Sequence, residues 1–172
     1  MVVVDLFQTI VADVATELGS PVHYMYGHPV EVVNELQRKT KHPIGKSQKF
    51  PLIVLFQDFE ERKGENQANE SEVRLNLVIA TNTKAEYVSK QRYDTTFKPI
   101  LIPIYDLLME CIVKSNYFND ISYGLVPHTK TDRVYWGKQG LYGNEGNIFQ
   151  DRIDAIEITE LNLKIKSHIK TC

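Results

Sequence analysis

Five histidines are the first candidates for chemistry, because imidazole binds metals and transfers protons near neutral pH. They are His23, His28, His42, His128 and His168. None belongs to an HExxH pair and none lies beside a CxxC pair, so the spacings typical of zinc sites are missing. His23 and His28 flank a glycine turn and could meet there, but hydrogen-bonded turn histidines are the more common explanation. We therefore predict no metal site.

A Gly-Lys-Ser triplet at residues 45–47 has the composition of a phosphate-binding loop. Such a loop also needs an earlier glycine, a strand before it and a helix after it. The triplet lacks that first glycine and precedes a predicted strand, and the chain has no GxGxxG segment. We predict a flexible loop here, and no nucleotide or other cofactor.

Nucleophilic and acid–base groups are equally unpromising. No GxSxG segment is present, and Cys111 lies in an apolar helical stretch without an activating neighbour. Asp58, Glu60 and Glu61 stand on or beside a polar loop, where solvated carboxylates are poorly suited to general acid–base catalysis. By elimination we predict no catalytic residues and a binding or assembly role. A small enzyme with a non-standard site near His23, Tyr26 and His28 is the alternative.

Aromatic and basic residues alternate late in the chain. Those that could form a contact surface are Tyr123, Arg133, Tyr135, Trp136, Lys138 and Tyr142. Such residues suit a protein partner, packing within the chain, or stacking on single-stranded nucleic acid. We favour contact with a partner, and the other two explanations stay open.

A single domain has to position these groups, since the chain has 172 residues. Its 42% hydrophobic and 24% charged residues are ordinary for a globular protein. The net charge of -2, with acids and bases mixed throughout, argues against a dedicated nucleic-acid binder. No basic signal segment precedes Ile10 and no apolar run approaches about 20 residues, so we expect no membrane contact and synthesis in the cytoplasm.

The first half of the chain alternates helices and strands. Leu6, Ile10, Val14 and Leu18 are four apart and predict a helix that ends at Gly19. A strand over Val22–Tyr26 and a short helix over Val30–Lys39 follow. Phe50–Phe59 is the next predicted strand, and its continuously apolar part, Leu52–Phe56, indicates burial on both faces of a sheet.

Residues 60–72 contain five glutamates and almost no apolar side chain. We predict a mobile acidic loop that contacts neighbouring subunits or partners. Its candidate interface residues are Glu60, Glu61, Arg62, Lys63, Glu65, Glu70 and Glu72. The alternating segment Val73–Ala80 that follows is a second strong strand, and two strands joined in this way are usually antiparallel neighbours.

The second half begins with helical spacing over Lys84–Ser115, interrupted by Pro99 and Pro103. This predicts either two helices or one kinked helix. Residues 116–147 form a loop-rich excursion with a strand at Arg133–Gly137. Asp151–Ile169 is a long strand whose alternation changes phase, which indicates a bulge near Thr159 or Glu160. The predicted fold is α+β: a single, mostly antiparallel sheet with helices packed on one face.

This order of elements resembles the tail terminator and tail-completion ring proteins of tailed bacteriophages. The resemblance rests on the helix at Leu6–Leu18, the Phe50–Leu55 strand with its aromatic-proline start, and the acidic loop leading to Val73–Ile79. It continues through the long helical segment to the terminal strand Ile156–Ile165. As a pattern, the resemblance covers nearly the full chain.

The resemblance implies a structural ring subunit at the head–tail junction, either a tail terminator or a neck (connector) ring. It implies a homo-oligomer, commonly a hexamer, that contacts portal, neck or tail proteins and lets DNA pass through its lumen without sequence-specific binding. It also implies virion localisation after synthesis in the host cytoplasm, and no catalytic residues. A peptide-binding module that adds a strand to the sheet, with the long terminal strand as its edge, is a further alternative.

Overall fold

The structure is a computed structural model that describes residues 3–41, 45, 48–63, 71–119, 121, 126–137 and 152–166. Its helices are α1 (Val3–Leu18), α2 (Pro29–Lys41), α3 (Ser89–Arg92) and α4 (Ile102–Lys114), with a π-helical segment (Tyr93–Leu101) between α3 and α4. Its strands are β1 (His23–Gly27), β2 (Leu52–Phe56), β3 (Glu60–Lys63), β4 (Ser71–Asn82), β5 (Phe118–Asn119), β6 (Thr129–Arg133) and β7 (Ile153–Ile165).

These strands form one sheet in the order β1-β2-β4-β7-β5, with β3 beside β4 and β6 beside β7. The β1–β2 pair is parallel, and the other pairs are antiparallel. The α+β fold and the mostly antiparallel sheet are therefore confirmed. The parallel pair arises because α2 connects β1 to β2 as a crossover.

Both faces of the sheet are covered at its centre. Ile53 and Leu55 of β2 pack with α1, the π-helical segment and α4 on one side, here called the α1 face. Leu52, Val54 and Phe56 point to the opposite side, the α2 face. The predicted burial of Leu52–Phe56 on both faces is confirmed, since all five residues are buried.

The prediction that helices pack on one face holds for α1, the π-helical segment and α4 but not for α2. The apolar residues of α2 are Val32, Val33 and Leu36, and they contact the α2 face of the sheet. Because β2 is apolar on both sides, its second face also has to be removed from water. Helix α2 supplies that cover.

The helical region after β4 runs without interruption from Ser89 to Lys114. Pro99 lies inside the π-helical segment. Proline has no N–H to donate and clashes with the carbonyl one turn earlier, and a wider π turn is one way to accommodate it. Of the two predicted alternatives, two helices or one kinked helix, the structure has one continuous helical region that changes to π-helical geometry around Pro99.

Two segments differ from the sequence prediction. Glu60–Lys63 is a strand paired with Ser71–Arg74, and not part of a loop. Here the antiparallel ladder compensates for the shortage of apolar side chains, which was the reason for predicting a loop. The predicted strand at Arg133–Gly137 is wrong, because β6 ends at Arg133 and the next residues form a turn. Tyr135 and Gly137 both adopt positive φ in that turn, and this is incompatible with a strand.

The predicted bulge in the terminal strand is confirmed. Leu75 of β4 faces Leu161 and Leu77 faces Ile158, so β7 has two residues, Thr159 and Glu160, opposite one residue of β4. Glu160 has φ 55°, and its backbone N–H donates to Asn76 Oδ1 at 3.2 Å. Because of the extra residue, the apolar side chains after the bulge point to the same α1 face as Ile156 and Ile158 before it.

Glu160→Gly is expected to raise the free energy of unfolding by about 0.5 kcal/mol. Glycine removes the cost of the left-handed conformation, which is about 1–2 kcal/mol for other residues. Part of this gain is offset because glycine loses about 0.5–1 kcal/mol more backbone freedom on folding. Urea denaturation would measure the change. Thr159→Gly is the matched control, and it should lower stability because the strand conformation at Thr159 needs no glycine. Equal effects of the two substitutions would contradict the bulge geometry.

Candidate functional site

Four of the predicted or neighbouring charges lie together on the β3–β4 hairpin. Glu60 is the cross-strand partner of Arg74, and Arg62 is the partner of Glu72. We call Glu60, Arg62, Glu72 and Arg74 the charged quartet. All four are exposed and line one shallow depression with Asn162, to whose Oδ1 the Arg74 Nε donates at 3.4 Å.

The charged quartet lies on the α2 face, beyond the part that α2 covers. Glu61 alternates with its members and lies on the opposite face of β3, next to Val73. Lys63 pairs with Ser71 at the end of the ladder. Glu65 and Glu70 lie outside the described residues. The described part of the hairpin thus balances its acids with bases, whereas the prediction for residues 60–72 emphasised their acidic character.

Trp136 is a core residue and not an exposed contact. It is 4% exposed and stacks on Phe56, with ring centroids 6.3 Å apart and an interplanar angle of 19°. Its backbone N–H donates to Ile153 O at 2.9 Å. Of the three explanations for the aromatic region, packing within the chain is correct for Trp136. Burial of Trp136 could have been expected from the sequence, because tryptophan is highly buried on average in folded proteins.

Tyr135 and Arg133 also bind within the subunit. The Tyr135 ring lies 4.2 Å from Arg92 Cζ, a cation–π geometry. Arg133 Nε donates to Glu157 Oε2 at 2.7 Å across the β6–β7 pair. The Arg133 side chain is still half-exposed, so it can also reach a partner. Tyr123 and Tyr142, the other predicted aromatics, lie outside the described residues.

A buried polar cluster among the described residues, which is not predicted from the sequence, joins the helical region to β7. Arg92 Nη1 donates to Asp154 Oδ1 at 2.7 Å, and Thr96 Oγ1 donates to Asp154 Oδ2 at 2.9 Å. Arg92 Nε donates to Tyr87 O at 3.0 Å, Nη2 donates to Lys84 O at 3.2 Å, and Nη1 also lies 3.3 Å from Thr83 Oγ1. Asp154 is completely buried. Such a satisfied ion pair fixes one arrangement of the elements around it and has no approach for a substrate.

The sequence feature that indicates this cluster is an acidic residue within an apolar strand. Asp154 stands between Ile153 and Ala155, and an isolated charge in such a strand would be very costly unless a cation neutralised it. Sequence alone does not show which of the many arginines and lysines is the partner. Arg92 is 62 residues away and is brought to Asp154 by packing of the helical region on the sheet.

The histidines have structural roles where the structure describes their contacts. His28 Nδ1 accepts from the Val30 N–H at 3.3 Å, and Glu31 Oε2 accepts from the His28 N–H at 3.4 Å, so these groups cap the start of α2. His128 contacts Val126 O through Nδ1 and Tyr105 Oη through Nε2, at 2.6 and 2.7 Å. The first contact requires a proton on Nδ1, which leaves Nε2 to accept from the tyrosine.

Cys111 is a buried helical residue, as expected from its apolar surroundings. Burial raises the pKa of its thiol to about 11, with smaller contributions from the Glu17 and Asp13 carboxylates. At pH 8 roughly one thiol in a thousand would be ionised, and the thiolate is the reactive form. The side chain is therefore unsuited to nucleophilic chemistry. Cys172 lies outside the described residues.

In a Cys172→Ser background, iodoacetamide at pH 8 is expected to modify folded Cys111 at least about 100-fold more slowly than the urea-unfolded chain. Mass spectrometry over time would give both rates. Because the folded-state pKa is raised, the unfolded state loses its thiol proton first, and stability should fall as pH rises from about 8.5 towards 11. Rapid modification of the folded chain would show that Cys111 is accessible.

An open groove of about 200 Å³ lies on the α2 face between the start of α2 and the charged quartet. Phe56 and Val78 contribute apolar surface, while Asp58, Asn76 and Glu157 contribute polar groups. Glu157 is already paired with Arg133. The groove is thus a surface for shallow contact.

Within the described residues, no group of three or more histidine, cysteine or acidic side chains is placed to hold a metal ion. The described helices also include none whose length and apolar character would let it cross a bilayer. Comparison with known proteins found no matching family model and no significantly similar curated protein.

Proposed function

We propose that this chain is a structural ring subunit at the head–tail junction of a tailed phage. The observation that carries the proposal is the order of elements along the chain. Helix α1, the buried strand β2 after Phe50–Pro51, a charged hairpin, a long helical region and the terminal strand β7 follow one another as the resemblance requires. The neck or terminator ring would be a closed homo-oligomer.

The hairpin β3–β4 supports this role because it presents charge where a neighbouring subunit can reach it. β4 and β7 continue past the end of β2, and β3 occupies the position beside β4 that β2 leaves. A ring subunit needs two different patches that meet head to tail. The Arg133 side of the sheet, at the edge strand β6, and the β3–β4 hairpin are separate surfaces that can serve as such patches.

Negative-stain electron microscopy and light scattering of the full chain at several concentrations test the proposal. We expect rings with a central opening wide enough for duplex DNA, either from the chain alone or after mixing with portal, neck or tail proteins. A strict monomer that binds none of these proteins would refute the proposal. Portal, capsid and tail genes beside the coding gene would support it.

Strand addition is a second candidate, at β1 and not at β7. The terminal strand was the predicted exposed edge, but β7 lies between β4 on one side and β5 and β6 on the other. β1 is an edge strand without a charged side chain, whereas edge strands usually carry charges that block pairing. Protection of the β1 amides from hydrogen exchange on adding a partner would distinguish this mode.

A further inference from the structure

The charged quartet alternates in sign both along and across the strands. Glu60 precedes Arg62 on β3, and their partners on β4 are Arg74 and Glu72. Each charge therefore has an opposite charge as its neighbour in both directions, at spacings of roughly 5 Å across the strands and roughly 7 Å along them. The exposed side chains form a square of alternating charge on an open part of the α2 face.

Such a square is complementary to itself. Consider a second copy turned over about a two-fold axis that runs parallel to the strands, midway between the two facing sheets. Glu60 then faces Arg74 of the second copy, and Arg62 faces its Glu72. The in-plane axis perpendicular to the strands also brings opposite charges together, with Glu60 facing Arg62. Two sheets crossed at right angles would instead bring like charges together, so the pattern requires aligned strands.

We propose that the charged quartet binds the charged quartet of a second copy, face to face across a two-fold axis. This contact is isologous, whereas contacts around a ring are heterologous. The proposal therefore goes beyond ring formation and can fail without affecting it. It gives the free subunit a dimeric form.

Other occupants match the surface less well. A nucleic acid would meet two carboxylates, and a polycation would meet two guanidinium groups. A partner with the same alternating pattern satisfies all four charges, and the chain itself supplies that partner. α2 packs over Val78 and Ala80 but leaves the continuation of the same face on β4 open, at Arg74 and Glu72.

The dimer should be weak and sensitive to salt, because exposed ion pairs contribute little and are screened. The screening length falls from about 30 Å to about 3 Å between about 0.01 M and about 1 M salt. Sedimentation equilibrium over this range should show association weakened by at least about tenfold. Association that does not change with salt would contradict an ionic contact.

Inverting the whole pattern gives the sharpest test. The inverted variant carries Glu60→Arg, Arg62→Glu, Glu72→Arg and Arg74→Glu. It keeps the net charge and every cross-strand pair, so its sheet should fold normally. With labelled protein at low salt, we expect wild type to bind wild type and the inverted variant to bind itself. A mixed pair with aligned strands brings like charges together and should bind more weakly. Mixed association as strong as self-association would overturn the proposal.

The matched control inverts four charges on the α1 face, with Asp94→Lys, Lys98→Asp, Glu110→Lys and Lys114→Glu. Like the inverted variant, it has four changes and the original net charge. It should still bind wild type. Loss of binding by the control would show that overall charge distribution, and not the charged quartet, controls association.

A complementing pair of variants keeps the test valid if the inverted variant misfolds. Glu60→Arg with Glu72→Arg makes the square wholly positive, and Arg62→Glu with Arg74→Glu makes it wholly negative. Neither should self-associate, and an equimolar mixture should form dimers. A wild-type chain that remains monomeric at low salt would refute the proposal. So would duplex DNA binding that is lost in the negative variant, since that would assign the surface to nucleic acid.

Discussion

Asp154→Asn is expected to lower the free energy of unfolding by about 3–5 kcal/mol, because it leaves the buried Arg92 guanidinium without its counter-charge. Arg92 is 3% exposed and Asp154 is fully buried, so water cannot replace the lost partner. The total stability of a domain is about 5–15 kcal/mol, and this one substitution should therefore remove a large part of it. Urea denaturation followed by circular dichroism would measure the loss.

Two controls separate the buried charge from the contact itself. The double variant Arg92→Met with Asp154→Leu removes both charges and should lose much less stability than Asp154→Asn alone. Glu35→Gln breaks the exposed ion pair with Arg38, whose Nε lies 2.8 Å from Glu35 Oε2, and should cost less than about 1 kcal/mol. A comparable small loss for Asp154→Asn would mean that water reaches the cluster.

Trp136→Ala is expected to lower the free energy of unfolding by about 3–5 kcal/mol, since it removes a buried aromatic ring and leaves a cavity beside Phe56. For a domain of this length the melting temperature should fall by roughly 6–20 °C. Scanning calorimetry would measure the shift. Tyr26→Ala is the matched control, because Tyr26 is 40% exposed and should change the melting temperature little.

This experiment also separates packing within the chain from contact with a partner as the role of Trp136. As a partner contact, its truncation would abolish assembly while leaving the subunit stable. As a core residue, it should destabilise the subunit at any concentration. An unchanged melting temperature with lost assembly would contradict its packing position.

Most of the helices and strands could be predicted because the spacing of the apolar residues shows the helical or the strand period clearly. The stripe Leu6–Leu18, the doubly buried Leu52–Phe56 and the alternation of Val73–Ile79 each needed local information alone. The bulge was predicted because the phase change at Thr159 and Glu160 is visible in the order of apolar residues. In each of these segments, one short stretch carries the whole signal.

The misses were interactions between distant residues. Glu60–Lys63 has no apolar pattern, and it becomes a strand because Ser71–Arg74 supplies a ladder. Arg92 and Asp154 are 62 positions apart, and the sequence around either residue does not identify the other as its partner. Trp136 entered the core through a turn in which Tyr135 and Gly137 adopt positive φ, a conformation that composition does not disclose. The candidate surface was therefore located only in part, at the hairpin.

The position of β7 has a consequence for synthesis of the protein. This strand is made last among the described elements, yet it lies inside the sheet and pairs with β4 over nearly its whole length. Until Ile165 has left the ribosome, β4 has an open edge and the apolar residues of its α1 face lack part of their cover. Chains truncated before β7 should consequently aggregate or be degraded, because folding of the sheet has to wait until β7 has been synthesised.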